Sequence, residues 1–300
     1  MYDIIIVGGG TAGLSAAIYG VRAGKKVLVL EQKNYGGQIV NSPEIENYPG
    51  IKHISGYEFA TGLYEQATGL GAGFERGKVI GITDKGDTKL VSTEKKEYET
   101  RTVILATGAK NRPLGVEEET RFMGAGLSYC ATCDGAFFRD REVAVVGGGN
   151  TALEDALFLS GYCKKVSVIH RREEFRGESR KLQALQEKEN VEFILDTVVT
   201  KLQGDTMIEG VILKNVVTDE ETEKKLNGLF VAIGQMPDNE AFKDLVTVDE
   251  KGYIQAEEDC LTRTAGIFTA GDCRTKTVRQ LTTAAADGAV AALAACEYIG

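Results

Sequence analysis

Apolar residues fall along this chain in short unbroken runs, and glycine clusters close the most prominent of them. Ile4, Ile5, Ile6 and Val7 lead into Gly8, Gly9 and Gly10. Val143, Ala144, Val145 and Val146 lead into Gly147, Gly148 and Gly149. A run without alternation is the mark of a strand buried on both faces, as in a parallel sheet. After the first cluster, Gly13, Ala16, Ala17 and Gly20 recur at helical spacing. Such small residues let a helix lie close on a sheet. A second apolar strand, 26–30, then ends in Glu31. Period-2 alternation with turn residues over 77–98 and 191–226 predicts two three-stranded antiparallel excursions. Each precedes a similar apolar strand, VILATGA at 103–109 and GLFVAIG at 228–234. The tail predicts a strand at 267–270 and an alanine-rich helix over 281–299.

The glycines carry chemistry. Gly8, Gly10 and Gly13 form G-x-G-x-x-G between a strand and a helix. In that motif the first glycine makes the tight turn, the second lets backbone approach a pyrophosphate, and the third permits close helix–strand contact. The helix N-terminus then faces the phosphates. Glu31, at the end of the next strand, stands where a ribose diol would be held. Shifted by 139 residues, the pattern returns: Gly8 becomes Gly147, Gly10 becomes Gly149, Gly13 becomes Ala152 and Glu31 becomes His170. An equal spacing implies one supersecondary unit used twice. The second copy replaces the acid by His170, Arg171 and Arg172, with Arg176 beyond. Guanidinium groups bind a 2′-phosphate that a carboxylate would repel. The first site therefore suits a nucleotide with a free diol and the second suits NADP(H).

The fold class expected is α/β, with two dinucleotide-binding, Rossmann-like domains. The tail strand and helix complete the first, so the second is inserted into it. The expected bounds are 1–112 with 246–300 for the first and 115–242 for the second. Hinges fall near 112–119 and 237–248, each holding one of the four prolines. The 300 residues suffice for such cores without disulfide staples. The formal net charge of −9 argues against a nucleic-acid partner. No apolar run reaches the roughly 18 residues of a membrane span, and no signal peptide is read at the start. A cytoplasmic protein is expected.

Six cysteines are present, and only Cys130 and Cys133 are close, in YCATCDGAFF. Zinc would need a second ligand pair, and His53 and His170 are the only histidines. No metal is expected. A structural pair stays open beside the redox reading, in which two intervening residues let the sulfurs form and break a bond. Asp134 directly follows and suits a general acid/base; a cap or turn role is the alternative.

Taken together, GGGTAG, GGQ, ENYPG, ATGA, CATCD, GGGNTA, HRR with its later arginine, and TAGD followed by RQ resemble the low-molecular-weight, bacterial-type NADPH-dependent thioredoxin reductases. The resemblance spans essentially the whole chain. It implies FAD in the first domain, with Gly8, Gly10, Ala12, Gly13, Glu31, Gly36, Gly37, Gln38, Asn47, Ala106, Gly108, Asp272, Arg279 and Gln280 as its residues. It implies NADPH in the second, at Gly147, Gly149, Asn150, Thr151, Ala152, His170, Arg171, Arg172 and Arg176. It further implies that Cys133 faces the flavin and Cys130 attacks a thioredoxin-like protein, with a homodimer as the assembly. Separately, a cysteine pair and an NADP site on one inserted domain, both needing a flavin held by the other, predict a domain rotation between half-reactions. The competing readings are a flavin-dependent small-molecule dithiol oxidase, which needs no NADPH, and a non-catalytic redox-sensing nucleotide-binding module.

Overall fold

The structure is a computed structural model describing residues 1–42 and 44–300. It divides into two compact units, Met1–Lys110 with Met236–Gly300, and Asn111–Gln235.

The first unit is built on a seven-stranded sheet ordered β3-β2-β1-β6-β5-β4, with β17 paired to β6. The strands are β1 (Tyr2–Val7), β2 (Val27–Glu31), β3 (Gly73–Arg76), β4 (Val79–Asp84), β5 (Lys89–Thr93), β6 (Glu97–Leu105) and β17 (Ile267–Thr269). Strand β1 is parallel to β2 and β6, and β17 is parallel to β6. Strand β6 serves two arrangements: its first residues pair antiparallel with β5, and Val103–Leu105 pair with β17. The alternation over 77–98 is therefore an antiparallel extension of the main sheet. Helices α1 (Thr11–Arg22) and α7 (Leu281–Ile299) lie against each other. The approach is close enough that a Cβ on Gly288 would stand 2.1 Å from the Ala12 carbonyl oxygen. Their small residues join Ile4, Ile6, Val27, Val29 and Ile104 in one core. Helix α2 (Gly56–Gly69) opens with a capping box between Ser55 and Glu58.

In the second unit a five-stranded parallel sheet runs β11-β10-β9-β15-β8. Its strands are β8 (Leu127–Ser128), β9 (Glu142–Val146), β10 (Lys165–Ile169), β11 (Val191–Ile194) and β15 (Gly228–Val231). Helix α3 (Glu119–Phe122) precedes them, and helices α4 (Ala131–Asp134), α5 (Asn150–Ser160) and α6 (Ser179–Gln186) lie between successive strands from β8 to β11. The three-stranded antiparallel sheet is β12 (Thr197–Gln203), β13 (Gly210–Asn215) and β14 (Glu221–Lys225). It starts later than the alternation implied, because Val191–Ile194 is instead the edge strand of the parallel sheet. An edge strand is only half covered, so its pattern resembles that of an antiparallel one.

The two sheets repeat one topology. Strands β9, β10, β11 and β15 stand in the second unit as β1, β2, β3 and β6 stand in the first. The expectation of two Rossmann-like α/β folds is met. The chain crosses between units at 110/111 and 235/236. There β7 (Ala109–Asn111) and β16 (Gln235–Pro237) pair as a two-stranded sheet. Residues 237–248 belong to the first unit. Among the described residues no helix is long and apolar enough to cross a membrane.

Candidate functional site

The glycine turn after β1 shows why each glycine is needed. Gly8 has φ +110°, and a Cβ there would lie 2.2 Å from the Ala106 carbonyl oxygen. A Cβ on Gly13 would lie 1.9 Å from the Gly8 carbonyl oxygen. Gly10 lies open: its Cβ would meet nothing nearer than 3.9 Å. Tight turn, close helix and open floor are the three demands of a pyrophosphate cradle. Buried Glu31 accepts hydrogen bonds from Gly9 N–H at 2.8 Å and from Lys33 N–H at 2.9 Å. Its carboxylate is thus fixed at the end of β2.

Other residues gather around that turn. Gly36 donates its N–H to the Gly9 carbonyl at 2.8 Å and bridges Gly10. Its φ of +100° and the closeness of Ala60, whose Cβ would be 2.6 Å from an added Cβ, demand glycine. Gly37 follows, also at positive φ, and Gln38 donates to the Ala109 carbonyl. Ala106 donates its N–H to the Val7 carbonyl, and a Cβ on Gly108, at φ +68°, would meet nothing within 4 Å. Asn47 donates to Gln280 Oε1 at 3.2 Å, and Gln280 caps α7. Arg279 turns its guanidinium onto the carbonyls of Asp272, Arg274 and Lys276, over the Tyr253 ring at 4.2 Å.

Asp272 is the informative member. Its Oδ1 is buried without a hydrogen-bond partner among the described residues. Burial pushes its carboxyl above the usual carboxylate range, against the pull of Lys276 and Arg279. A buried acceptor left bare is costly and invites a donor from outside the chain. Ligand hydroxyls next to a pyrophosphate cradle fit that need, so the residues present suit a dinucleotide such as FAD.

The second cradle differs in the expected place. A Cβ on Gly147 would stand 2.4 Å from the Ala232 carbonyl oxygen, and one on Gly149 would meet nothing within 4 Å. Ala152 is buried beneath the turn, while Asn150 and Thr151 are exposed at the start of α5. Asn150 exchanges hydrogen bonds with Glu178, accepting its N–H at 2.7 Å. His170 does not face outward with the arginines. It is 8% exposed, stacks on Phe175 at 4.9 Å, and packs under Gly148, where an added Cβ would come within 2.2 Å of its ring. Burial lowers its pKa, and Nε2 sits 3.1 Å from the Glu174 carbonyl. Arg176 and Gly177 both donate their N–H to the Gly148 carbonyl, which folds the HRREEFR loop back over the turn. Arg171, Arg172 and Arg176 are exposed and engage no ion pair among the described residues. They are available to an anion.

Cys130 and Cys133 are joined in a disulfide. Cys130 caps the short helix α4, its carbonyl accepting from Cys133 and Asp134. Ser128, which the sequence did not single out, organises the segment. Its Oγ donates to Asp134 Oδ2 at 2.6 Å and accepts the Cys130 N–H at 3.0 Å. Asp134 Oδ1 is buried and bare among the described residues. Burial raises the Asp134 pKa, with the Ser128 bond opposing it. A carboxyl that keeps its proton to higher pH, next in sequence to Cys133 and tied through Ser128 to the Cys130 N–H, is equipped for thiol proton transfer. A serine two residues before a CxxC was the only available signal for Ser128.

This combination of paired nucleotide cradles and a close disulfide matches one family model, the pyridine nucleotide-disulphide oxidoreductases, over residues 2–288. The chain belongs to that family. Within it, the chain stands among the thioredoxin reductases, which makes it an enzyme employing a flavin and a pyridine nucleotide. It is 41% identical to the thioredoxin reductase of Peptoclostridium acidaminophilum, covering 100% of this chain and 97% of that one. The thioredoxin reductase structure from Streptococcus pyogenes is 43% identical, covers 99% of this chain and 98% of its own, and superposes with a TM-score of 0.94. That of Lactococcus lactis in its FR conformation is also 43% identical, covers 100% and 99%, and gives a TM-score of 0.70.

Proposed function

We propose that this enzyme takes its electrons from NADPH, holds FAD in its first unit, and delivers the electrons through Cys130 and Cys133 to the disulfide of a thioredoxin-like protein. The observation that carries the reading is the Cys130–Cys133 disulfide on the same unit as an arginine-rich dinucleotide cradle. Bound FAD would supply the two-electron chemistry between a nicotinamide hydride and that disulfide.

The chain's own residues do the rest. Gly8, Gly10 and Gly13 receive the FAD pyrophosphate, Glu31 its adenosine ribose, and Asp272 its hydroxylated linker. Gly147 and Gly149 receive the NADPH pyrophosphate, and Arg171, Arg172 and Arg176 its 2′-phosphate. His170 acts from below by supporting Gly148. Once reduced, the Cys130 thiolate attacks one sulfur of the partner disulfide, and a mixed disulfide forms as the other sulfur departs. Asp134 gives that departing thiolate its proton. Cys133 then attacks Cys130, the mixed disulfide breaks, and the partner leaves as a dithiol while Cys130–Cys133 is re-formed.

The hydride donor and Cys133 would each in turn have to reach a flavin held by the first unit. Both belong to the second unit, so the reading includes a rotation about the crossings at 109–111 and 235–237 between half-reactions. A homodimer working in the cytoplasm is the assembly that the family resemblance favours.

The test is NADPH oxidation by the yellow protein, with and without thioredoxin and a chromogenic disulfide. Rapid, thioredoxin-dependent oxidation is expected; oxygen-linked turnover without NADPH would support the dithiol oxidase instead. Arg171→Ala should raise KM for NADPH about 10-fold or more, as expected for a lost charge-assisted bond of ~1.5–3 kcal/mol, with little change for NADH. Equal weakening of both would refute the 2′-phosphate role. Gly149→Ala has free space for its methyl. Its melting temperature should stay near wild type, consistent with a change within about 0.5 kcal/mol, while KM for NADPH rises. An unchanged KM would show that no phosphate approaches Gly149.

A further inference from the structure

Behind Asp272 lies a buried ionic cluster that the nucleotide motifs do not explain. Asp287, in the second turn of α7, accepts four hydrogen bonds. Its Oδ2 takes Gly271 N–H at 2.9 Å, Arg274 Nε at 2.8 Å and Lys276 Nζ at 2.9 Å. Its Oδ1 takes Arg274 Nη2 at 2.8 Å. The side chains are 10% exposed for Asp287 and Arg274 and 7% for Lys276. Burial pushes the Asp287 carboxyl up, yet the bonds from Arg274 and Lys276 prevail and hold it below its ordinary value.

The position of these bonds matters. Gly271 immediately precedes Asp272 and has φ +81°, and a Cβ there would lie 2.8 Å from that of Ala12. Asp287 therefore grips the turn at Gly271, Arg274 and Lys276, and Asp272 stands between those grips. Arg274 extends the hold to the carbonyls of Ala256 and Thr275. An arrangement this expensive in desolvation is a weak way to gain stability, since apolar residues of similar volume would serve as well. It does fix one backbone geometry, at the residue whose bare oxygen awaits a donor.

We propose that Asp287 is a positioning residue for the flavin, acting through Asp272 by fixing the turn from Gly271 to Lys276. The proposal rests on the reading of the first unit as the FAD site. It is tested by titrating FAD into apoprotein and following flavin fluorescence, for wild type, Asp287→Ala, Asp272→Ala and the double variant. Asp287→Ala should weaken FAD binding about tenfold or more, as for loss of a bond to a charged group. The double variant should bind no more weakly than Asp272→Ala alone, because both changes remove the same interaction. Asp287→Ala leaves two buried cations unpaired and risks the fold. A third variant, Asp287→Leu with Arg274→Met and Lys276→Met, removes all the charges together. A melting temperature restored to wild type with FAD affinity still reduced supports positioning. Restored affinity in that variant, or additive losses in the double variant, overturns it. Failure of wild-type apoprotein to bind FAD would overturn the FAD reading itself, an outcome distinct from equal binding by all variants.

Discussion

Cys133→Ser is expected to abolish thioredoxin reduction while NADPH still bleaches the flavin absorbance. The serine hydroxyl can neither form nor break a disulfide, so the chain loses its only close cysteine pair. The other cysteines offer no substitute. Cys163, Cys260 and Cys273 are buried and Cys296 is half-buried; burial pushes the Cys163 thiol up to about 11, the Cys260 thiol to about 12, and raises the Cys296 thiol as well. Thiols held protonated are poor nucleophiles. The arginine cradle and the first-unit glycines are untouched, so dinucleotide binding should persist. Stopped-flow flavin absorbance and coupled thioredoxin turnover separate the two halves. Preserved turnover in Cys133→Ser would show that electrons reach thioredoxin by another route.

Asp134→Asn is expected to lower kcat for thioredoxin reduction by about 10²–10⁴-fold, the usual range for a lost general acid. The asparagine can still accept the 2.6 Å hydrogen bond from Ser128 but carries no acidic proton. The sign of the pH effect follows from burial, which raises the folded-state pKa of Asp134. A carboxyl that binds its proton more tightly folded than unfolded contributes fully below the ordinary Asp range. That contribution is lost as pH rises through the raised folded value. Wild-type melting temperature should carry a decline in that window that the asparagine variant lacks. The acid-dependent limb of the kcat profile should vanish with it. An asparagine variant with wild-type kcat and pH profile would assign Asp134 to a turn role alone.

The parts of the fold easiest to read were those where one physical demand dictates residue type. A turn that would place a Cβ 2.2 Å from the Ala106 carbonyl oxygen at Gly8, and 2.4 Å from the Ala232 carbonyl oxygen at Gly147, must be glycine. The 139-residue repeat shows that constraint twice, and the parallel strands of both sheets follow from the repeat. Register between half-covered strands was less legible. Val191–Ile194 alternates like a hairpin strand yet pairs parallel with β10. Long-range side-chain partners were hidden altogether. Nothing local marks Asp287 as the partner of Gly271, Arg274 and Lys276, because the contacts depend on how α7 packs beside the turn. Ser128 was obscure for a similar reason, since serine is common in loops and only the folded path brings it to Asp134. His170 is a motif position assigned by its neighbours: two exposed arginines follow it, while the ring itself turns inward onto Phe175.

Cys130 and Cys133 are expected to lie in line between NADPH and thioredoxin. The most direct test is an anaerobic titration of the flavin-loaded enzyme with NADPH, followed by flavin absorbance and by counting thiols at the end point. Wild type should take up twice the reducing equivalents of Cys133→Ser, and its extra equivalents should appear as the two thiols of Cys130 and Cys133. Equal uptake by both proteins, with the disulfide intact at the end point, would show that the electrons do not pass through Cys130 and Cys133.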